Sequence, residues 1–444
     1  MKSTFVKKFL PFIIFIALSF VACASGIKKQ DNTEDIVKQF GPIERTINVS
    51  RDSLGEEFWQ EIEKNEIVEL CLDATVRTWE TSLKSAVLND SCLVFKAPTL
   101  IGVESINVYL PESDSSHKIN LVIGMKYLNF KNEEVLLGFN TCRENQLVGR
   151  CKNEDPERLV SVTGTYLVDK YPVTNCEFTQ LMWDSIPATS LYRNESLRKD
   201  YYEDWLNRKR AYTRNENCIT QDTAANTVSL FQAMKYANAR SIREGLKPYY
   251  IFTPVEEYAE RESILSTTQR IVTRRDFTIH DIKYIQVSDD STSNGYRLPY
   301  YNEWMMFARG GDKKNMAPWG DSSGTFEKTK KYARFKTKMV SFETEPVGQL
   351  TPNGYGLYDM FGLVQEHVLL KSSLFRGDLG FASCLKGGDY HVSLKEFDDS
   401  LAPYWKWISY GYYEPGHQGY GAGFRLVRNI GNNVKWKYSR RNKK

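Results

Sequence analysis

The sequence predicts an α+β protein in two parts: a small β-rich module, then a larger domain of few helices and long loops. Three observations carry that prediction. Short apolar runs separated by turn formers crowd residues 44–126, three amphipathic segments farther on carry helix start and stop signals, and glycine and aromatics dominate the chain beyond residue 311. With 26 Tyr, 23 Phe and 9 Trp among 444 residues, a substantial core is available to two domains or one large one.

The opening MKSTFVKKFLPFIIFIALSFVAC places Lys2, Lys7 and Lys8 before an apolar run over residues 9–20, then small residues before Cys23. This is the layout of an export signal, and the run is shorter than the roughly 20 residues a spanning helix needs. Val21-Ala22-Cys23 resembles a bacterial lipoprotein cleavage box. That implies removal of residues 1–22 and attachment to a membrane through lipid on Cys23. The other reading is an ordinary signal peptide that takes Cys23 with it. Residues 23–43 are polar, lack an apolar period and read as a tether.

The net charge of +4 is too small to imply nucleic acid, and the basic residues 431–444 read as a solvated tail. Beyond Cys23 stand Cys71, Cys92, Cys142, Cys151, Cys176, Cys218 and Cys384. In an exported chain some of these pair, with Cys71/Cys92 and Cys142/Cys151 the natural local pairs. There is no C-x-x-C and no cysteine–histidine cluster of the kind zinc requires, and the histidines are scattered.

In residues 44–126 the runs VELCLDATV, CLVFKA, INVYLP and INLVIGMKYL read as strands, with one helix expected around EEFWQEIEK. Thr174 with Glu177 forms a capping box opening a helix that buries Phe178, Leu181 and Met182. Ser229 with Gln232 repeats the device, placing Leu230, Met234 and Ala237 on one face and Gly245 at the end. Pro299 starts a third helix, closed by Gly310-Gly311, with Trp304, Phe307 and Ala308 turned inward. The charged residues 253–294 read as an insertion, part of it flexible.

The stretches VLLGFN, YLVDKYPVTNCEF, NTVSLFQAMKYANARS, NGYRLPYYNEWMMFARGG, APWG, EPVGQLTPNGYGLYDMFGLVQEHV, LKGGDY and GAGFRLVR, in this order, resemble the formylglycine-generating enzyme (sulfatase-modifying factor) family. They cover residues 131–430. The resemblance implies an irregular, C-type-lectin-like α+β fold. The family's oxidases turn a substrate cysteine into formylglycine on a copper ion held by two cysteines, thiolates being the soft ligands that select Cu(I). Counted from Gly388, the two ligand positions fall on Val392 and Phe397, so no copper is expected and Cys384 lies on the wrong side of the glycines. The neighbouring family residues are also replaced, by Asp389 for serine, Gln365 for tryptophan and Gly421 for asparagine.

GLYDMFGLVQEHV is similar to a family calcium loop, whose implied ligands here are the side chains of Asp359 and Glu366 and the carbonyls of Gly362 and Val364. The competing reading is that Asp359 and Glu366 only hydrogen-bond turn amides; Leu363 replaces the family's asparagine. Arg334 in YARFK stands where a second family calcium site needs an asparagine, so that site is not expected. The groove implied by the resemblance takes in Asp389, His391, Gln365, Tyr410 and Tyr412, within an aromatic-rich wall suited to sugars or peptides. Trp304, Trp319 and Tyr358 read as core, and Arg297 and Arg425 as loop anchors.

The leading functional expectation is an envelope-anchored, non-catalytic binding or assembly module for a protein or glycan partner. The alternatives are an enzyme with different chemistry on the same groove, using Asp389 with His391 or Glu396, or a regulator of a cysteine-bearing paralogue. Related iron enzymes of this fold use three histidines, a spacing absent from this chain.

Overall fold

The computed structural model describes residues 28–29, 33–55, 57–83, 85–89, 92–111, 115–137, 158–182, 222–226, 228, 230–254, 285–314, 317–319, 326–334, 345–370, 382–388, 408–413 and 421–438. Its N-terminal part is two sheets. One runs in the order Lys28–Lys29, Val87–Asn89, Cys92–Lys96, Ile67–Leu72, Arg45–Val49; the other in the order Glu57–Ile62, Ser116–Ile123, Gly102–Tyr109, Thr78–Thr81. Leu70, Leu93 and Phe95 of the first meet Ile106, Ile119 and Leu121 of the second, all wholly buried. Period-two alternation thus puts one face of each sheet into a common core. Cys71 and Cys92 face each other across neighbouring strands and are disulfide-bonded, the expected local pair. Cys142 and Cys151 lie outside the described residues.

Two expectations fail here. EEFWQEIEK is no helix: Glu57–Ile62 is a strand paired in parallel with Ser116–Ile123. Its helix-forming glutamates are held instead by tertiary partners, Glu61 accepting from the Tyr127 amide at 2.8 Å and pairing with Lys126. The tether is also shorter than expected, because Thr33–Phe40 forms a helix, α1. Ile36 is its buried anchor, packed on Val87 and Val94, with Phe40 one turn later against the same cluster.

The second part begins without a linker, since the strand Met125–Leu137 runs across the boundary. It pairs with Arg158–Asp169, which pairs in turn with Val427–Tyr438. The residues expected as a solvated tail are therefore strand as far as Tyr438. Val434 and Trp436 are half-buried while Lys435 and Lys437 are exposed, an alternation that the basic composition masks. Three helices pack nearby: α2 (Asn175–Met182), α3 (Leu230–Arg243) and α4 (Tyr301–Arg309). Leu230, Met234 and Ala237 of α3 are buried as expected, and Gly245, at φ +68°, bonds back to Ile242 O. In α4 the N-cap is Tyr300, one residue after Pro299, and its amide bonds the Glu303 carboxylate at 2.8 Å. Gly310 ends α4 in the left-handed region.

The two parts share apolar packing: Ile101 and Val122 of the module lie in one cluster with Phe231, Met234 and Phe424. A four-stranded sheet in the order Ile408–Tyr413, Ala382–Lys386, Gln365–Leu370, Ala422–Gly423 completes the domain. Of the expected insertion, its two ends form a hairpin, Tyr250–Pro254 with Ile285–Asp289. Among the described residues no helix is long and apolar enough to cross a membrane.

Candidate functional site

The loop expected to hold calcium folds between two sheet elements. Asp359 and Leu363 have positive φ of 53° and 60°, and Gly362 has 73°, so the chain turns tightly through the left-handed region. At Gly362 glycine is required, because a Cβ would lie 2.3 Å from Arg334 O. The Gly362 amide donates to Gly387 O at 2.9 Å, which ties this loop to the glycine pair of the CLKGGDY stretch. Gly387 is itself fixed by space, since a Cβ there would meet Met360 O at 2.7 Å.

Glu366 is the second residue of the strand Gln365–Leu370 beneath the loop, opposite Lys386, and is 1 % exposed. Arg425 donates to both its oxygens, Nε at 2.9 and 2.8 Å and Nη2 at 2.7 Å, and Trp304 Nε1 donates at 2.8 Å. Three N–H groups thus hold the carboxylate, the Nε one shared between both oxygens. The remaining Arg425 donors reach the carbonyls of Asp169, Lys170 and Tyr358. Arg425 thus clamps three chain segments around one acid, an anchoring role like that of Arg297, which bonds Glu303 at 2.6 and 2.8 Å. Spacing alone assigns Trp304 to the core; the structure adds the indole bond to Glu366, which no local pattern signals.

Asp359 faces elsewhere. Its Oδ2 accepts from the Gly348 amide at 2.7 Å. Burial holds its carboxyl above the usual carboxylate range, against the pull of that amide and of Arg425 and Arg334. The carbonyls of Gly362 and Val364 are on the same turn. As the loop is built, both Glu366 oxygens are engaged by Arg425 and one also by Trp304, so a calcium ion at this acid would have to displace the Arg425 pair. Arg334, at the second family site, pairs with Glu345 at 2.7 Å.

Gln365 lies at the head of its strand, its amide bonded to Gly421 O at 2.8 Å. Tyr410 and Tyr412 belong to the strand Ile408–Tyr413 at the edge of the same sheet, and nothing of their side chains is described. Asp389, His391, Val392, Phe397 and Cys23 lie outside the described residues. Cys384 stands in the strand Ala382–Lys386, 1 % exposed. Burial pushes its thiol up, with Lys386 opposing. Cys176 is disulfide-bonded.

Known proteins share parts of this chain. The chaperone protein LppX of Paenibacillus barcinonensis is 30% identical over 155 residues, which are 31% of this chain and 49% of that protein. The chain therefore spans about half the length of that curated relative. Among solved structures, Treponema denticola variable protein 1 is 23% identical with a TM-score of 0.42, covering 72% of this chain and 98% of that one. PvdO from Pseudomonas aeruginosa is 16% identical with a TM-score of 0.40, covering 69% and 94%. Residues 132–430 match the sulfatase-modifying factor enzyme 1-like domain, almost the bounds that the sequence motifs mark. The chain belongs to that family and carries its α+β fold.

Proposed function

We propose that this chain is an exported, envelope-anchored binding or assembly protein that uses the sulfatase-modifying-factor fold without copper oxidase chemistry. The observation that carries the reading is Cys384. It is the free thiol among the described cysteines, and it is buried in the apolar cluster of Trp304 and Phe361, closed to a substrate cysteine. The sequence positions of the family's ligands, Val392 and Phe397, support the same reading. A relative named as a chaperone is in keeping with a protein that works by engaging a partner. The lipid anchor at Cys23 supplies the envelope location, and Glu366 serves the loop through Arg425 and needs no metal.

The test is cross-linking and affinity recovery of the full chain from envelopes, paired with a copper-loaded assay for conversion of a cysteine peptide to formylglycine. A specific protein or glycan partner and no conversion are expected. Copper-dependent conversion, or a chain that recovers no partner, overturns the reading.

A further inference from the structure

A cleft of about 1500 Å³ separates the module from the domain, larger than the roughly 300–1,000 Å³ of ordinary small-molecule pockets. The module contributes one sheet face to it. In register, Trp59 lies beside Asn120 and Asn120 beside Ser105, on three adjacent strands. The residues between them, Phe58, Ile119 and Ile106, face the module core instead. Trp59 is stacked on Tyr127 with ring centroids 5.6 Å apart, so the indole is held in place before anything binds.

Asn120 is 1 % exposed in the centre of this face and lines the cleft. Its Oδ1 accepts from Ser105 Oγ at 2.9 Å, while its Nδ2 has no hydrogen-bond partner among the described residues. A buried amide donor in that state points to a ligand acceptor.

The opposite wall carries Tyr249, Tyr300 and Trp436. The two tyrosine hydroxyls lie 2.7 Å apart, and Tyr249 also bonds Asp289. Two charge pairs on this wall are closed within the protein, Arg297 with Glu303 and Asp290 with Lys247 at 2.8 Å, while Arg428 bonds Asn294 O and Arg158 stands at the border. Planar aromatics, amides and hydroxyls, among acids and bases nearly balanced in sign, suit a neutral polyhydroxylated chain, which offers C–H faces for stacking and hydroxyls for the amides. They suit a phosphate or a basic peptide poorly, and the cleft presents the face of a sheet where a bound peptide strand would need an edge.

We propose that this interdomain cleft binds an oligosaccharide, with Trp59 as stacking platform and Asn120 Nδ2 as hydrogen-bond donor to a sugar hydroxyl. This deepens the binding-module reading and rests on it. Titration calorimetry of the full chain with cellohexaose, maltohexaose, mannohexaose and chitohexaose, and sedimentation with purified peptidoglycan, separate a free oligosaccharide from a wall polymer. Binding to one of these is expected, weakened at least about tenfold in Trp59→Ala and partly restored in Trp59→Phe, with the melting curves of both variants showing a folded chain. Asn120→Ala is expected to weaken binding severalfold. Absence of binding to every sugar and to peptidoglycan, equal binding by Trp59→Ala, or capture of unglycosylated peptide alone overturns the proposal. Recovery of a protein partner from the envelope with no sugar binding overturns it while the proposed function stands.

Discussion

Arg425 and Glu366 form a wholly buried pair, 0% and 1% exposed, in which one guanidinium takes both carboxylate oxygens and three backbone carbonyls. Removing one partner of such a pair leaves an uncompensated buried charge, at a cost of about 3–5 kcal/mol. Glu366→Gln keeps the shape and loses the charge. A loss of about 3 kcal/mol in denaturant unfolding is expected, and an unchanged midpoint would show that the clamp holds nothing.

The calcium question turns on the same acid. With Glu366 held by Arg425 and Trp304, millimolar calcium and a chelator are expected to give the same unfolding midpoint. Asp359 adds a pH signature. Its carboxyl is raised by burial, so its contribution to stability is fully present below the unfolded value of about 3.9 and is lost as pH rises through the folded value. Asp359→Asn, which can still accept from Gly348, should remove that fall. A calcium-dependent rise in midpoint abolished by Asp359→Ala would restore the calcium loop.

Much of the domain is legible because its signals are local. The ends of α3 and α4 and the buried Trp304 and Phe307 all arise from spacing along one segment. What is not legible depends on distant partners. Thr174 Oγ1 does cap α2, accepting from the Glu177 amide at 3.3 Å, but the Glu177 carboxylate does not return to close the box. It goes to Lys64, 113 positions away, and to the Ile101 amide. Glu57–Ile62 misleads for the same reason, its propensity being overruled by a strand beyond position 115. The cleft is hidden entirely, because Trp59 and Tyr300 meet only when the two parts pack.

Lys64 joins the module to the domain, 3.3 Å from Glu177 and 3.0 Å from Asp222. Burial pulls its ammonium down, yet the two carboxylates outweigh that and the net shift is upward. A raised lysine contributes stability that is fully present below its unfolded value of about 10.4 and is lost as pH rises through the folded one. Lys64→Ala leaves two buried carboxylates facing each other, and a loss of about 3 kcal/mol is expected. Protease cleavage near residues 98–101 should quicken in the variant; equal cleavage would mean the apolar packing alone docks the module.

Cys384 tests whether the glycine-pair stretch keeps any reactive thiol. Its side chain sits in a cluster with Trp304, Phe361 and Val368, and burial disfavours the thiolate that alkylation requires. Iodoacetamide on the native chain, read peptide by peptide in a mass spectrometer, should leave Cys384 unmodified until denaturant unfolds the domain. Cys384→Ala should cost about 1–2 kcal/mol through the small cavity it opens, with envelope partner binding intact. Rapid native labelling of Cys384, or partner binding lost in a variant that still folds, would return the thiol to the functional site and remove the observation on which the non-catalytic reading rests.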